Sequence, residues 1–124
     1  MNKKKIRLRR SFSTRIKIAK KKKFRFVVNK TNLHIYANII NYNMKILVSS
    51  SSLESEVKLI IANYKKNFFN KKINFFISKL IGKRIAKKSL KIGIKKVAFD
   101  RSGFKYHGHI KLLAESARKA GLKF

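Results

Sequence analysis

The segment richest in side chains that could do chemistry runs from Phe99 to His109. It contains an Arg, a Lys, a Tyr, two Phe, two His and two Gly, and it lies between a predicted strand and a predicted helix. Domains of the α/β class place ligands in loops at the C-terminal ends of strands. Arg binds phosphate bidentately, and aromatic and His rings stack on unpaired bases. We therefore predict RNA contacts from Arg101, Ser102, Phe104, Lys105, Tyr106, His107 and His109.

A catalytic interpretation of the same segment is weaker. Asp100, Ser102 and His107 have the residue types of a hydrolytic triad, and one carboxylate with two His could hold a metal ion. A catalytic site needs partners placed against one another, and these residues are too close in the chain to align by default. No second acid is nearby. We predict no enzyme activity, cofactor or metal. The alternative to RNA contact is a structural role for some of these residues, with Asp100 capping the local backbone and Phe104 and Tyr106 partly in the core.

A second polar and aromatic cluster lies at a predicted strand end. The turn is Asn29, Lys30, Thr31 and Asn32, and it is followed by His34 and Tyr36 on one face of an alternating strand. An RNA-binding sheet exposes such a face, whereas an ordinary sheet covers both faces with helices. Alternation alone leaves both arrangements open.

The first 23 residues form a basic arm with no acid. Its partial helical stripe is opposed in water by like charges four residues apart, and phosphates would relieve that repulsion. We expect a helix that forms on RNA, and the alternative is a solvated tail. The predicted RNA-binding cations here and at the next strand are Lys3, Lys4, Lys5, Arg7, Arg9, Arg10, Arg15, Lys17, Lys20, Lys21, Lys22, Lys23 and Arg25.

The charge balance of the chain points to a polyanionic partner. Its 124 residues include 34 Lys and Arg against four acids, a formal net charge of +30. Nucleic acid is the commonest such partner, and an anionic membrane surface is the alternative. No apolar run approaches the ~20 residues that a membrane span needs. The chain has no Cys, and 44% of its residues are hydrophobic, which predicts a folded core without disulfides or thiolate metal sites.

The elements that must position these residues follow from hydrophobic periodicity. Three strands are predicted near residues 24–28, 33–40 and 45–49, and then a helix introduced by a capping box from Ser51 to Glu54. Residues 65–67 interrupt the helical pattern, and a second helix is predicted over 71–91. A strand over 94–99 and a helix over 109–120 are predicted to follow. This order predicts one small α/β domain over residues 24–124, with a mixed sheet and a parallel crossover. The lysines of the long helix are either a solvated face or an RNA contact.

The C-terminal sequence also resembles a known family. Val97 to Gly108 (VAFDRSGFKYHG) and Lys111 to Phe124 (KLLAESARKAGLKF) are similar to the signature loop and the ending of bacterial-type large-ribosomal-subunit protein eighteen. Shorter similarities upstream, HIYA at 34–37 and VSSSSLE at 48–54, agree in order and spacing. His109 stands where that family is expected to have Arg, and residues 57–75 lack its usual Ala- and Gly-rich pattern.

This resemblance implies a non-enzymatic constituent of the large ribosomal subunit in the cytoplasm or in an organelle. Its implied partners are 5S rRNA, 23S rRNA and neighbouring large-subunit proteins in the central protuberance, without a membrane or a small-molecule substrate. The family's basic arm corresponds to residues 1–23, its RNA-facing turn and strand to residues 29–36, and its signature loop to residues 101–109.

Overall fold

The computed structural model describes residues 2–64 and 75–124 of the chain. Along these residues one helix precedes three consecutive strands, and two helices, a fourth strand and a last helix follow. Their bounds are α1 Lys3–Lys20, β1 Arg25–Lys30, β2 Ile35–Ile40, β3 Ile46–Ser51, α2 Ser55–Tyr64, α3 Phe75–Lys91, β4 Ala98–Asp100 and α4 Gly108–Lys119. The predicted start of the long helix at residue 71 and the predicted interruption at 65–67 lie outside the described residues.

The four strands form one mixed sheet in the order β3-β2-β1-β4. β1 pairs with β2 and β2 with β3 in antiparallel fashion, whereas β1 and β4 are parallel. The three-strand meander and the mixed sheet predicted from the sequence are thereby confirmed. The connection from β3 to β4 carries the chain from one sheet edge to the other, because β4 joins the free side of β1.

One face of the sheet forms the core. Ile35, Ala37 and Ile39 of β2 are fully buried and pack with Phe26 and Val28 of β1. The strand predicted over 33–40 starts two residues later than expected, because Leu33 is 51% exposed and precedes β2. The reason is local: the backbone N–H of residue 31 bonds to the carbonyl of residue 34 at 2.8 Å, which closes a turn before the strand begins.

The last strand is shorter than predicted. Hydrophobic pattern suggested a strand over 94–99, but the ladder with β1 begins only at Ala98, opposite Arg25. α1 ends just before β1, and Lys22 turns the backbone with φ +50°. Residues before Ala98 therefore have no β1 partner, and Lys96 instead bridges to Lys123.

Helices α3 and α4 cover the core face and lie close to one another. A Cβ on Gly82 of α3 would meet the backbone oxygen of Leu113 in α4, so glycine lets the two helix backbones approach. Gly93 follows the end of α3 with φ +87° and Gly121 follows α4 with φ +121°. Both glycines take the left-handed backbone that is common just after a helix, close to the helix ends predicted at residues 91 and 120.

The basic arm is a helix that lies on the opposite face of the sheet. α1 contacts β4, and its Arg15 bonds to Asp100, whose register partner is Val27 on the face away from the core. The Asn2 side chain caps the start of the helix by accepting from the N–H of Lys5 at 2.8 Å. Among the helices described, none is both long and apolar enough to cross a membrane.

Candidate nucleic-acid interface

The two clusters singled out in the sequence meet at one end of the sheet. Because β1 and β4 are parallel, the end of β1 at Lys30 lies on the same side as the loop that follows Asp100. β2 begins opposite the end of β1, with Ile35 paired to Lys30. This brings the turn at residues 29–34 beside the segment from Arg101 to His107, which we call the aromatic-basic loop.

A buried carboxylate joins the arm to this end of the sheet. Asp100 is 1% exposed, and its Oδ2 accepts from Arg15 Nε at 2.9 Å, with Arg25 Nε at 3.6 Å. Its Oδ1 accepts from the backbone N–H of Ser102 at 2.9 Å, which is the backbone cap expected for this residue. The same carboxylate therefore shapes the start of the aromatic-basic loop and holds α1 against it. Asp100 therefore positions α1 and the loop, and its own side chain does not face solvent.

A second set of contacts seats the first turns of α1 on the loop. Arg7 Nη1 donates to the Ser102 carbonyl at 3.1 Å, and the Arg7 guanidinium lies 4.1 Å from the centre of the Phe104 ring. Gly103, with φ +76°, lies directly against the helix, since a Cβ there would be 2.0 Å from the backbone oxygen of Arg7. Only glycine satisfies both the left-handed backbone and the close approach. The loop and the arm are thus built as one surface.

Between the arm and the loop runs a groove of about 920 Å³, which we call the loop groove. It is lined mainly by cations, with one aromatic ring at its floor: Lys3, Lys4, Ile6, Arg7, Arg10, Lys30, Gly103, Phe104, Lys105 and His107. Lys30 Nζ lies 5.8 Å from the Phe104 ring centre, so cations from three separate segments converge here. Convergent positive charge beside an aromatic surface suits a nucleic-acid backbone with unpaired bases.

The neighbouring turn presents His34 and Tyr36 on the sheet face that α1 leaves partly open. The Thr31 hydroxyl accepts from the His34 backbone N–H at 3.1 Å and fixes the turn. The His34 ring is oriented by a 3.0 Å hydrogen bond between its Nδ1 and the hydroxyl of Ser52. The His34 and Tyr36 rings lie 6.4 Å apart and are both half-buried. The sequence left open whether this face is exposed or covered by helices, and the structure shows an intermediate case in which the face is partly covered.

The predicted RNA-binding residues differ in how far they reach solvent. Arg101, Lys105 and His107 are exposed, and so are Asn29, Thr31 and Asn32 of the turn. Arm cations are also exposed apart from Arg7 and Arg15, which are half-buried in the contacts described above. The placement that departs most from expectation is that of Ser102. Its side chain is 1% exposed and its Oγ accepts from Arg15 Nη2 at 3.3 Å, so it lies inside the arm–loop junction.

Tyr106 and His109 also have partners within the protein. Tyr106 is 36% exposed, its ring packs edge-on against Phe99, and its hydroxyl accepts from Arg118 at 3.3 Å. His109 is half-buried, with Nδ1 at 2.9 Å from the Ser78 hydroxyl. Burial, together with the charge of Lys30, lowers the pKa of His109. The lowered pKa favours the neutral ring, in line with the loss of a permanent charge at this position.

The few acids leave the interface uniformly positive. Glu54 Oε2 accepts from Lys88 at 2.8 Å and from Arg84 at 3.2 Å, and Arg84 also reaches Glu56 at 2.7 Å. Burial raises the pKa of Glu54, but hydrogen bonds from Lys88, the Ser51 backbone and Arg84 outweigh it and lower that pKa to about 2. The Ser51 N–H donates to Glu54 Oε1 at 2.8 Å, but Ser51 ends β3 and α2 begins at Ser55, so this bond closes the turn before α2 and the predicted helix start at Ser51 is wrong. These ion pairs lie on α3 and the start of α2, away from the loop groove.

The arrangement does not support the hydrolytic alternative. Ser102 Oγ is engaged by Arg15, Asp100 by Arg15 and the Ser102 backbone, and His107 is exposed at the start of α4. Asp100 and Ser102 therefore serve the arm–loop junction instead of activating a nucleophile. In residues 2–64 and 75–124 no group of three His or acidic side chains is placed to hold a metal ion.

Sequence reasoning missed two parts of the interface. It treated the arm as separate from the loop, although Arg15 and Asp100 are 85 residues apart and in direct contact. It also overlooked Gly103 as the contact point for α1. The signal available was a glycine between two residues of a basic loop, which is too common to indicate a helix docking site.

Comparison of the sequence with known proteins identifies the family. The whole chain, residues 1–124, matches the family described as ribosomal L18 of archaea, bacteria, mitochondria and chloroplasts. Relatives named large ribosomal subunit protein uL18 are 52% identical over 124 residues in Janthinobacterium sp. (strain Marseille) and in Herminiimonas arsenicoxydans, with both chains covered in full. The Burkholderia mallei (strain SAVP1) protein of that name is 50% identical over 125 residues, again over all of both chains. The resemblance noted in the sequence is confirmed, and the chain belongs to the L18 (uL18) family of ribosomal proteins, a structural family without enzyme activity.

Proposed function

We propose that this chain is a constituent of the large ribosomal subunit that binds 5S rRNA and helps attach it to 23S rRNA in the central protuberance. The observation that carries the proposal is the loop groove, where arm, turn and aromatic-basic loop converge around the Phe104 ring. The family and the names of the relatives support the ribosomal setting, and bacterial relatives favour the cytoplasm over an organelle.

The proposed division of labour follows from the chemistry of the groups. Cations of residues 1–23 supply phosphate affinity that does not depend on sequence. The body, residues 24–124, supplies selectivity through the exposed Arg101, Lys105 and His107 and through the His34 and Tyr36 rings, because rings and forked donors can read unpaired bases and backbone shape. Since α1 is docked on the loop through Arg15 and Asp100, the cations in the first turns of α1 and the loop act on the same RNA segment.

The electrostatic part predicts a steep dependence on salt. If about six phosphates are neutralised, the logarithm of the affinity for 5S rRNA falls with the logarithm of salt concentration with a slope near −5. Filter binding or fluorescence anisotropy between about 0.05 and 0.5 M KCl measures the slope. Binding that ignored salt would contradict the role given to the arm.

If the aromatic-basic loop selects the RNA, removing its side chains reduces the discrimination between 5S rRNA and other RNAs. Replacing Arg101 and Tyr106 by Ala reduces the preference for 5S rRNA over tRNA by about tenfold, equivalent to one or two lost polar or stacking contacts. The control replaces the exposed Lys87 and Tyr42 by Ala, which removes one cation and one Tyr outside the aromatic-basic loop. Equal losses for both RNAs in the loop variant would leave the loop without a recognition role.

The proposal also separates this chain from a general binder of acidic surfaces. Such a binder captures tRNA, DNA and anionic vesicles as well as it captures 5S rRNA, because charge alone sets its affinity. A pull-down from cell lysate at 0.3 M salt, followed by RNA sequencing, distinguishes the two. Enrichment of 5S rRNA over tRNA supports the proposal, and recovery in proportion to abundance refutes it.

A further inference from the structure

A second basic groove lies at the other end of the sheet and was not anticipated from the sequence. It has a volume of about 780 Å³, and its cations are Lys22, Lys23, Lys95, Lys96 and Lys123; we call it the lysine groove. All five lysines are exposed, and within the described part of the chain none has a carboxylate within ion-pair distance.

The backbone holds these lysines together from three distant segments. The N–H of Val97 donates to the Lys123 carbonyl at 3.0 Å, and the N–H of Lys123 donates to the Lys95 carbonyl at 2.9 Å. The N–H of Ala98 donates to the Phe24 carbonyl at 2.8 Å, which ties the end of the arm to the same edge. Unpaired like charges repel one another, so fixed backbone contacts that collect them leave a site that an anion would stabilise.

The two grooves are far enough apart to act separately. The lysine groove lies before β1 and the loop groove after it, so the six steps from Phe24 to Lys30 separate them by about 20 Å at ~3.3 Å per residue. The arm spans the same interval, since α1 begins beside the loop groove and ends near the lysine groove. That separation is more than twice the ~8 Å Debye length at physiological ionic strength, so polyanions in the two grooves are largely screened from each other.

We propose that the lysine groove binds the phosphate backbone of a second, double-helical RNA segment while the loop groove holds 5S rRNA. This inference rests on the proposed function and assigns residues to its second RNA contact. Lysines act as point charges without the planar fork of Arg, which suits a regular backbone more than a base edge. A protein with two independent RNA sites on opposite ends of one sheet can join two RNA segments without changing shape.

The test uses the full chain bound to immobilised 5S rRNA and a labelled 16-base-pair RNA hairpin as the second RNA. Each neutralised phosphate contributes roughly fivefold to affinity at 0.15 M salt relative to 1 M salt, so loss of three contacts weakens binding by up to about 100-fold. The groove variant is K95Q/K96Q/K123Q. The control is K58Q/K83Q/K87Q, which removes the same charge from exposed positions of α2 and α3.

We expect wild type and the control to capture the hairpin, and the groove variant to capture it at least tenfold more weakly while keeping its affinity for 5S rRNA within about threefold. Failure of the wild-type complex to capture the hairpin overturns the inference, as does equal capture by the two variants. The proposed function is measured separately, by the preference of wild type for 5S rRNA over tRNA without hairpin. If wild type shows no such preference, the proposed function is refuted. Whether the lysine groove binds a second RNA is decided separately, by the difference in hairpin capture between the groove variant and the control.

Discussion

Replacing Asp100 by Asn tests whether one buried carboxylate holds the arm on the loop. Asn keeps the size of the side chain and an acceptor for the Ser102 N–H, and it removes only the negative charge. That charge faces Arg15 at 2.9 Å and Arg25 at 3.6 Å. After the substitution two guanidinium groups remain together without a counter-charge, in a protein whose net charge is already +30.

The size of the effect follows from burial. Removing one member of a buried ion pair costs about 3–5 kcal/mol, because the partner stays desolvated. Here Arg25 is 15% exposed and Arg15 is 32% exposed, so Arg15 can turn partly to water. We therefore expect the free energy of unfolding to fall by about 2–3 kcal/mol. We also expect α1 to loosen, which reduces affinity for 5S rRNA by about tenfold through lost preorganisation.

Urea unfolding followed by circular dichroism measures the stability, and anisotropy measures the RNA affinity. The control is E115Q, which removes the same charge from an exposed side chain of α4. It should change the unfolding free energy by less than about 0.5 kcal/mol. Hydrogen exchange of the α1 amides locates the change, and faster exchange there than in α3 is expected for D100N.

The Asp100 carboxylate does not hold the arm on the loop if D100N and E115Q have the same stability and the same hydrogen exchange in α1. This role of Asp100 is also refuted if D100N loses stability while α1 keeps its protection, because the carboxylate would then support only the loop. Since RNA affinity is measured on the same samples, a stable variant with weak binding would mean that Asp100 acts on RNA by another route.

Two further perturbations test the same architecture. The Cβ of G103A clashes with the backbone oxygen of Arg7, and the residue must also keep a φ of +76° that strains any side chain except glycine. We therefore expect α1 to shift and the free energy of unfolding to fall by about 1–2 kcal/mol. We also expect the affinity for 5S rRNA to fall about tenfold. G93A is its control, since φ is +87° there but no atom lies within 4 Å, and equal RNA affinity of the two variants would contradict docking at Gly103. For Glu54, the pKa of about 2 in the folded chain lies below the ordinary 4.5, so its stabilising contribution is present above pH 4.5 and is lost as pH falls towards 2. We expect E54Q to lower the unfolding free energy at pH 7 by about 1–2 kcal/mol, allowing for solvent screening, and the difference from wild type to shrink by pH 2.5; a constant difference would refute the ion-pair explanation.

Much of the fold is readable from local patterns. The alternating strand predicted over residues 33–40 agrees with β2 to within two residues, and a glycine follows α3 and α4 near the helix ends predicted at residues 91 and 120. These predictions succeed because side-chain burial at period two and the left-handed conformation of glycine are properties of short segments. The ends of strands were less predictable, since β4 starts where β1 can offer a partner and not where the apolar pattern begins.

The residue types of the interface were also available from the sequence. A basic arm and a loop with Arg, Lys, His and aromatic side chains indicate RNA, and the resemblance in the last 28 residues indicated the family. What composition could not give is the role of each residue. Ser102 has the side chain of a contact residue and yet lies buried, because α1 covers it.

Composition and local patterns in the sequence establish that this protein carries a large excess of positive charge, a mixed α/β fold and a polar loop after its last strand. Tertiary structure alone decided that Asp100 holds the arm against that loop and that Lys95, Lys96 and Lys123 join the end of the arm in a second groove. The reason is the separation along the chain over which each property is set. Charge and periodicity are local or summed over the chain, whereas these two sites depend on contacts between segments about 70–100 residues apart, which form only when β4 pairs in parallel with β1.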